Sequence, residues 1–176
     1  MATAVASTGC GENIFDQKWT EADVDTVLVY SLARPELNLP SGLDFVNRRL
    51  VELSAPGATG TWDLLLDTRD GQLVFLPPGA LGITSAAMIL ALPDMAFEDV
   101  ITAPKDTTLY SVDQPVPVKA TSVYVLRTHQ GTDRFGFPCS FFGKFQPLEV
   151  EPVLGTVRLI FDVSPLCDDR GLIPTD

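Results

Sequence analysis

The stretch "TVRLIFDV", Thr156–Val163, decides the fold class of this sequence. Its apolar residues Val157, Leu159 and Phe161 alternate with a set of residues that leans polar. Because successive side chains of a β-strand point to opposite faces of the sheet, this period of two is typical of a strand with one buried face. We therefore predict a half-buried strand, and its partner is expected next to it in the chain.

Two hairpins follow from the surrounding sequence. The stretch "GKFQPLEVEPVLG", residues 143–155, predicts the other arm of the first hairpin, joined to Thr156–Val163 by a loop that contains glycine. Pro147 lies inside this arm, and since proline has no N–H to donate, it predicts an edge position or a bulge. The second hairpin is "TWDLLLDTRDGQLVFLPP", residues 61–78, in which Asp70-Gly71 forms a tight-turn pair between apolar runs.

Turn signals recur along the whole chain, which contains 14 prolines and 13 glycines. They leave segments that are too short for most helices, so the sequence predicts an all-β fold: a two-sheet antiparallel sandwich, immunoglobulin-like or similar, with at most one or two short helices. Residues 1–25 are predicted to form a lipobox-like segment and an extended arm, and residues 26–176 a single sandwich domain. Further strands are predicted at residues 26–32, 45–53, 97–102, 116–120 and 122–127, while residues 86–92 fit a strand or a short helix and residues 20–28 fit a helical turn.

The charge balance excludes some classes of partner. Twelve basic and 23 acidic residues give the 176-residue chain a net charge of −11. Binding to nucleic acid or to an anionic lipid surface needs clustered Lys and Arg, so neither is predicted. The charge fits simple solubility or a basic protein partner. No apolar run approaches the roughly 18 residues of a membrane helix, so no transmembrane span is predicted.

Two of the three cysteines flank the C-terminal hairpin. Cys139 precedes its first arm and Cys167 follows its second, so pairing of the arms brings the two ends together. A disulfide there would stabilise the fold by about 3–4 kcal/mol on the chain-entropy model. The alternative is a pair of unrelated buried thiols.

The third cysteine, Cys10, follows the small-residue run "AVASTG", residues 4–9. This run resembles the end of a bacterial lipoprotein leader, which is cut before a cysteine that then receives lipid. Gly9 matches the position before the cut, whereas Ser7 stands where a large apolar residue is usual. The resemblance implies lipid attachment at Cys10 and an extracytoplasmic location, on the periplasmic side of a bacterial membrane.

Motifs of catalysis are missing from the sequence. There is one histidine, His129, and no nucleophile elbow, H-E-x-x-H, C-x-x-C, phosphate loop or dinucleotide fingerprint. Acidic pairs at residues 67–71 and 167–171 lack the spacing of a calcium loop and are interpreted as turns. The sequence predicts a non-enzymatic protein without catalytic residues, metal or cofactor, in which His129 is an ordinary surface residue.

The segment "RFGFPCSFFGKF", residues 134–145, holds five of the ten phenylalanines. These rings either form an exposed patch that docks a partner or fold over the end of the sandwich and are buried. For the first case, the predicted partner-binding residues are Phe135, Phe137, Phe142 and Trp19. A binder of a small ligand or carbohydrate, which uses Trp19 and Trp62, is the alternative.

The C-terminal third carries a resemblance in "YVLRT" and in "PCSFFGKFQPLEVEPVLGTVRLIFDVSPLCDDRGLIP". This part resembles a set of small, uncharacterised extracytoplasmic bacterial lipoproteins. The resemblance implies a secreted or periplasmic β-sandwich with a Cys139–Cys167 bridge and a lipid on Cys10, and it implies no reaction. More distantly, the chain is similar to periplasmic accessory subunits of bacterial photosynthetic reaction centre–antenna complexes. The expected function is therefore structural: an accessory subunit that stabilises a larger membrane complex.

Overall fold

The computed structural model describes residues 17–175, and these form an all-β sandwich, which confirms the predicted fold class. Twelve strands follow one another along the chain: β1 Asp25–Tyr30, β2 Gly42–Asp44, β3 Arg49–Val51, β4 Leu64–Arg69, β5 Gln72–Leu76, β6 Met88–Pro93, β7 Val116–Pro117, β8 Ser122–Arg127, β9 Gly131–Thr132, β10 Pro138–Cys139, β11 Phe142–Glu151 and β12 Thr156–Val163. The helical segments within residues 17–175 are three short 3₁₀ turns, Pro78–Leu81, Phe97–Asp99 and Thr107–Leu109.

The strands form two packed antiparallel sheets and one small hairpin. Sheet A has the order β1-β12-β11-β8-β6, sheet B has the order β3-β2-β4-β5-β7, and β9 pairs with β10 alone. Both predicted hairpins are present. In the β4–β5 hairpin, Arg69 pairs with Gln72, and Asp70 and Gly71 between them have φ of 51° and 77°. These positive angles are those of the tight turn that an Asp-Gly pair favours.

Pro147 produces a bulge inside β11, one of the two outcomes predicted for it. The pairing of β11 with β12 shifts register between Pro147 and Glu149. On its other side, β11 pairs with β8 only through residues 142–145. The second half of β11 therefore lies at a sheet edge, where a residue without an N–H is tolerated.

The core between the sheets is dominated by aromatic rings. Phe145 stacks on Tyr124 with centroids 5.0 Å apart, and Phe75 from sheet B meets these two rings edge-on at 5.2 and 5.1 Å. Phe45 and Phe161 form a further edge-on pair at 5.1 Å. Such pairs add about 0.5–1.5 kcal/mol each beyond the burial of their area.

The outward face of sheet A is covered as well. Val123 and Val125 of β8 pack there beneath Phe97 and Val100, in a second cluster of buried apolar residues. Lys144 is buried in this layer, and its Nζ donates to the carbonyl oxygens of Phe97 at 2.7 Å and Val100 at 3.0 Å. Burial lowers the pKa of Lys144.

This outer cluster corrects the expectation that β12 is buried on one face only. Ile160, on the face opposite Phe161, packs against the outer cluster, and Asp162 is buried. Two segments that are distant in the sequence cover this face of β12. One is the connection that contains Phe97, and the other is the C-terminal segment that contains Leu172.

Several predicted elements are corrected in detail. Residues 45–53 form a turn and the short β3 rather than one strand, because Asp44 accepts a hydrogen bond from the backbone N–H of Asn47 and closes the turn. Residues 97–102 begin with a 3₁₀ turn, since Lys144 binds the carbonyls of that segment. Residues 86–92 resolve to β6, residues 116–120 shorten to β7, and residues 20–24 precede β1 without a helical turn.

Candidate interaction site at the disulfide end

The predicted disulfide between Cys139 and Cys167 is confirmed, with the two Cα atoms 5.8 Å apart. It joins β10 to the segment that follows β12. We call this end of the sandwich the disulfide end. The opposite end, which carries the β4–β5 and β11–β12 turns, is the turn end.

Two carboxylates, the buried Asp63 and the exposed Asp168, hold the loops of the disulfide end. Asp63 is fully buried just before β4, and its Oδ2 accepts a hydrogen bond of 2.8 Å from the backbone N–H of Phe45. Its Oδ1 accepts the backbone N–H of His129. Asp168 similarly accepts the N–H of Ser140 at 3.1 Å. Loops outside the sheet ladders leave backbone donors that need such partners once they are buried.

His129 belongs to this network and is not the ordinary surface residue predicted. Its ring Nδ1 lies 2.7 Å from Oδ1 of Asp63, and its side chain is mostly buried. The hydrogen bond with Asp63 raises the pKa of His129, and burial opposes this effect. Protonated His129 is therefore paired with a buried carboxylate beside the start of β9.

Asp44, Asp63 and His129 bring ligand-type atoms within 4.8 Å of one another. The carboxylate of Asp44 accepts hydrogen bonds from Asn47 and from Nε of Arg49, which lies at 2.9 Å. Since Asp63 is likewise bonded to the loops on either side, the geometry assigns the trio to loop anchoring.

The β9–β10 hairpin ends in a turn that displays two phenylalanines. Oδ1 of Asp133 accepts the backbone N–H groups of Phe135 and Phe137, both at 2.8 Å, and Gly136 adopts φ of 85°. The Phe135 and Phe137 side chains are 60% and 68% exposed, and the Arg134 guanidinium lies 4.8 Å from the Phe135 ring centroid. We call Arg134, Phe135 and Phe137 the aromatic tip. Its backbone is fixed by the turn, so the rings are presented in a defined arrangement.

The other two predicted partner-binding residues are corrected by their burial. Phe142 is 8% exposed and packs in the outer cluster on sheet A, because it points to that face of β11. Trp19 is 5% exposed, and its indole N–H donates to the backbone oxygen of Glu21 at 2.7 Å. Neither residue presents a large surface to a partner, so the predicted set narrows to Phe135 and Phe137.

A cleft of about 220 Å³ lies beside the hairpin, and sequence reasoning missed it. Phe141 and the uncovered part of Trp19 contribute aromatic surface to it, and the remaining lining residues are Glu21, Asp23, Val46, Arg48, Val163, Ser164 and Pro165. Gly131 of β9 sits against it: a Cβ on Gly131 would lie 3.2 Å from both Phe141 and Val46. The base of the β9–β10 hairpin therefore packs on a wall of the cleft.

Trp62, the second residue proposed for a ligand site, lies elsewhere. It is fully buried, in a cluster with Leu65 and Leu76 of sheet B. The prediction of a ligand surface made jointly by Trp19 and Trp62 is therefore wrong.

Arg48 in the cleft is already paired. Its Nε lies 3.3 Å from a carboxylate oxygen of Asp23, its guanidinium also donates to the Asp23 carbonyl, and its Nη1 lies 3.5 Å from Asp162. The guanidinium carbon lies 4.9 Å from the ring centroid of Phe161. Burial raises the pKa of Asp162, while Arg48 counteracts that shift.

No protein-family model, curated protein or solved structure matches this chain. Among the residues that the structure describes, no helix is long and apolar enough to cross a membrane. The predicted lipid-attachment residue, Cys10, lies outside the described residues.

Proposed function

We propose that this chain is a non-enzymatic interaction protein on the extracytoplasmic side of a bacterial membrane, where it stabilises a larger membrane complex as an accessory subunit. A photosynthetic reaction centre–antenna assembly is one such complex. The observation that carries the proposal is the aromatic tip, in which two exposed phenylalanines are held by the Asp133 turn. Aromatic residues and arginine are enriched where proteins bind each other.

The arrangement of the hairpin supports this role. The Cys139–Cys167 bond joins β10 of the hairpin to the segment that follows β12. The hairpin that carries the tip is therefore held in place covalently. A partner that binds it has little backbone freedom to remove, which favours binding. The disulfide is compatible with an oxidising compartment. In the proposal, lipid on Cys10 and contacts through the tip hold the protein at the membrane together, because one acyl chain anchors only marginally.

The test compares the tagged full-length chain with two variants. In Phe135→Ser/Phe137→Ser the tip loses both rings, and in Val153→Ser an even more exposed apolar side chain is removed at the turn end. After mild detergent extraction, we expect the parent chain and Val153→Ser to co-purify with the same membrane complex and the tip variant to be lost. A parent chain that elutes alone would contradict the proposal.

Intact mass spectrometry of the native protein tests the membrane anchor separately. We expect cleavage before Cys10, added acyl mass, and the two-dalton loss of one disulfide. A chain with an unmodified Cys10 removes the anchor from the proposal and leaves the tip as the means of attachment.

The small-ligand alternative retains one supporting observation, the cleft beside the tip. With Trp62 placed elsewhere, only Trp19 and Phe141 supply aromatic surface there. A carbohydrate-binding role predicts that simple sugars perturb the Trp19 indole signal in solution. A sugar panel without effect on Trp19 would remove this alternative.

A further inference from the structure

We infer that the cleft beside the aromatic tip is a receptor for a basic side chain, a lysine or arginine of the partner protein. The inference rests on the proposed function, and it adds the chemistry that the partner must bring. It follows from three features of the cleft: its aromatic surface, its uncompensated acidic charge, and its attachment to the tip.

The wall of the cleft suits an organic cation. Phe141 is half-buried and presents part of its ring, next to the accessible part of Trp19. Ring faces attract ammonium and guanidinium groups, by about 0.5–1 kcal/mol at exposed sites and more when the pair is desolvated. The alkyl stem of lysine or arginine would pack against the apolar remainder of the wall, which includes Val46 and Val163.

The charges in the lining of the cleft favour a cation over an anion. Glu21 and Asp23 are exposed lining residues. Arg48 is the cation in the lining, and its guanidinium is engaged by Asp23, Asp162 and the Phe161 ring. Glu21 thus contributes acidic charge that Arg48 does not offset. The net charge of −11 acts in the same direction, because it steers a basic partner to this protein.

The disulfide fixes the cleft relative to the tip. Cys139 precedes Phe141 by two residues on one side, and Cys167 follows Pro165 by two residues on the other. Both flanks of the cleft are therefore tied by the same bond that supports the hairpin. A partner that binds the tip would therefore meet a cleft whose flanks are held by the same covalent bond.

The test uses small probes and the two tryptophans of the full-length chain. We would titrate N-acetyl-lysine amide, N-acetyl-arginine amide and acetate while following the indole N–H signals by NMR. Trp62 serves as internal reference because it is buried in sheet B. We expect both cationic probes to shift the Trp19 signal in a saturable way, and acetate and Trp62 to show no such response.

Variants then locate the binding. Glu21→Gln is expected to weaken binding of the lysine probe roughly fivefold, since one carboxylate near the ammonium is lost. Glu151→Gln makes the same change on the exposed surface of the turn end and should leave the affinity unaltered. Phe141→Leu removes the ring from the wall and should weaken both cationic probes.

Four results would overturn the inference: no saturable shift with either cation, an equal response to acetate, a shift of Trp62 together with Trp19, or equal weakening by Glu21→Gln and Glu151→Gln. The failure of the proposed function is distinguishable. If the probes do not bind while the loss of Phe135 and Phe137 still abolishes co-purification, only the cleft assignment falls. If the probes bind and the parent chain elutes alone, the accessory role falls.

Discussion

The two ends of the sandwich hold the connections between their strands in different ways. At the turn end, β4 and β5 are joined by Asp70-Gly71, and β11 and β12 by a four-residue loop that ends in Gly155. At the disulfide end, long irregular connections cross, and their backbone donors are bound by the carboxylates of Asp63 and Asp168. At the turn end the short turns are supplemented by Arg34, which donates to the Leu154 carbonyl, whereas the disulfide end adds a buried carboxylate and a covalent bond. The candidate site lies at the end that carries the additional constraints.

The largest expected effect comes from cutting the covalent constraint. Cys139→Ser/Cys167→Ser should lower the free energy of unfolding by about 3–4 kcal/mol, because the unfolded chain regains the freedom of the open loop. Urea unfolding followed by circular dichroism measures the change, and the reduced parent protein should match the variant. A loss below about 1 kcal/mol would show that the disulfide end is held without its covalent bond.

The next effect tests the buried carboxylate. Asp63→Asn should cost about 2–3 kcal/mol, because an amide NH₂ cannot accept the hydrogen bonds that Phe45 and His129 donate. The matched control is Asp67→Asn in β4 near the turn end, where the half-buried carboxylate accepts the N–H of the adjacent Thr68 and Nε of the half-buried Arg69. That change should cost less than about 1 kcal/mol. Equal losses in the two variants would remove the distinction between the ends.

A smaller change in the free energy of unfolding is expected when the pH rises from 6 to 8. The pKa of His129 is raised in the folded protein by Asp63, so its contribution to stability is complete below the unfolded pKa of about 6.5. It is lost as the pH rises through the folded pKa. Unfolding in guanidinium at pH 6 and pH 8 should therefore show lower stability at pH 8, and His129→Gln should remove this difference. Since the chain has one histidine, this dependence reports on the disulfide end. A variant that retains the parent's pH dependence would exclude His129 as its source.

Asp133→Ala is expected to loosen the backbone of the aromatic tip while it changes the free energy of unfolding only slightly. It removes the acceptor for Phe135 and Phe137 on an exposed turn, so the loss should be about 0.5–1 kcal/mol. Amide hydrogen exchange should nevertheless become faster at both residues. Unchanged exchange there would show that the turn is held by other contacts.

The smallest effect is expected at the turn end. Val153 is 98% exposed, and Val153→Ser should change the free energy of unfolding by less than about 0.5 kcal/mol. Thermal unfolding measures it, with the parent chain as reference. A loss comparable to that of Asp63→Asn would mean that this turn carries more of the stability than its contacts indicate.

The sequence allowed the turn end to be predicted well because its signals are local. Alternation in Thr156–Val163 and the Asp70-Gly71 pair each specify geometry within a few residues. The disulfide was also predictable, since it follows from the pairing of one hairpin. The observed pairing of β11 with β12 and of β4 with β5 agrees with the two predicted hairpins.

The outer cluster and the anchors of the disulfide end were not predictable in this way. Lys144 is buried because the distant carbonyls of Phe97 and Val100 meet its ammonium, and no periodic pattern marks that contact. Asp63 and His129 are 66 positions apart, so their pairing exists only in the fold.

The aromatic tip is an intermediate case. The composition of residues 134–145 drew attention to its rings, but alternation alone does not separate exposed Phe135 and Phe137 from buried Phe142. The sequence signal that could have separated them is Asp133, which stands two residues before Phe135 and three before Gly136. This spacing is typical of a turn in which an Asp side chain accepts backbone N–H groups.

The bulge at Pro147 has a consequence for how copies of this chain meet at high concentration. Beyond Phe145, β11 has no pairing with β8 among the described residues, so half of the longest strand is an open edge. Open edges recruit further strands and lead to aggregation. Here proline withholds one N–H, the register shift twists the edge, and the exposed Glu151 adds a negative charge that repels a second copy. The same residue that interrupts the hairpin therefore protects the protein from growing into an extended sheet.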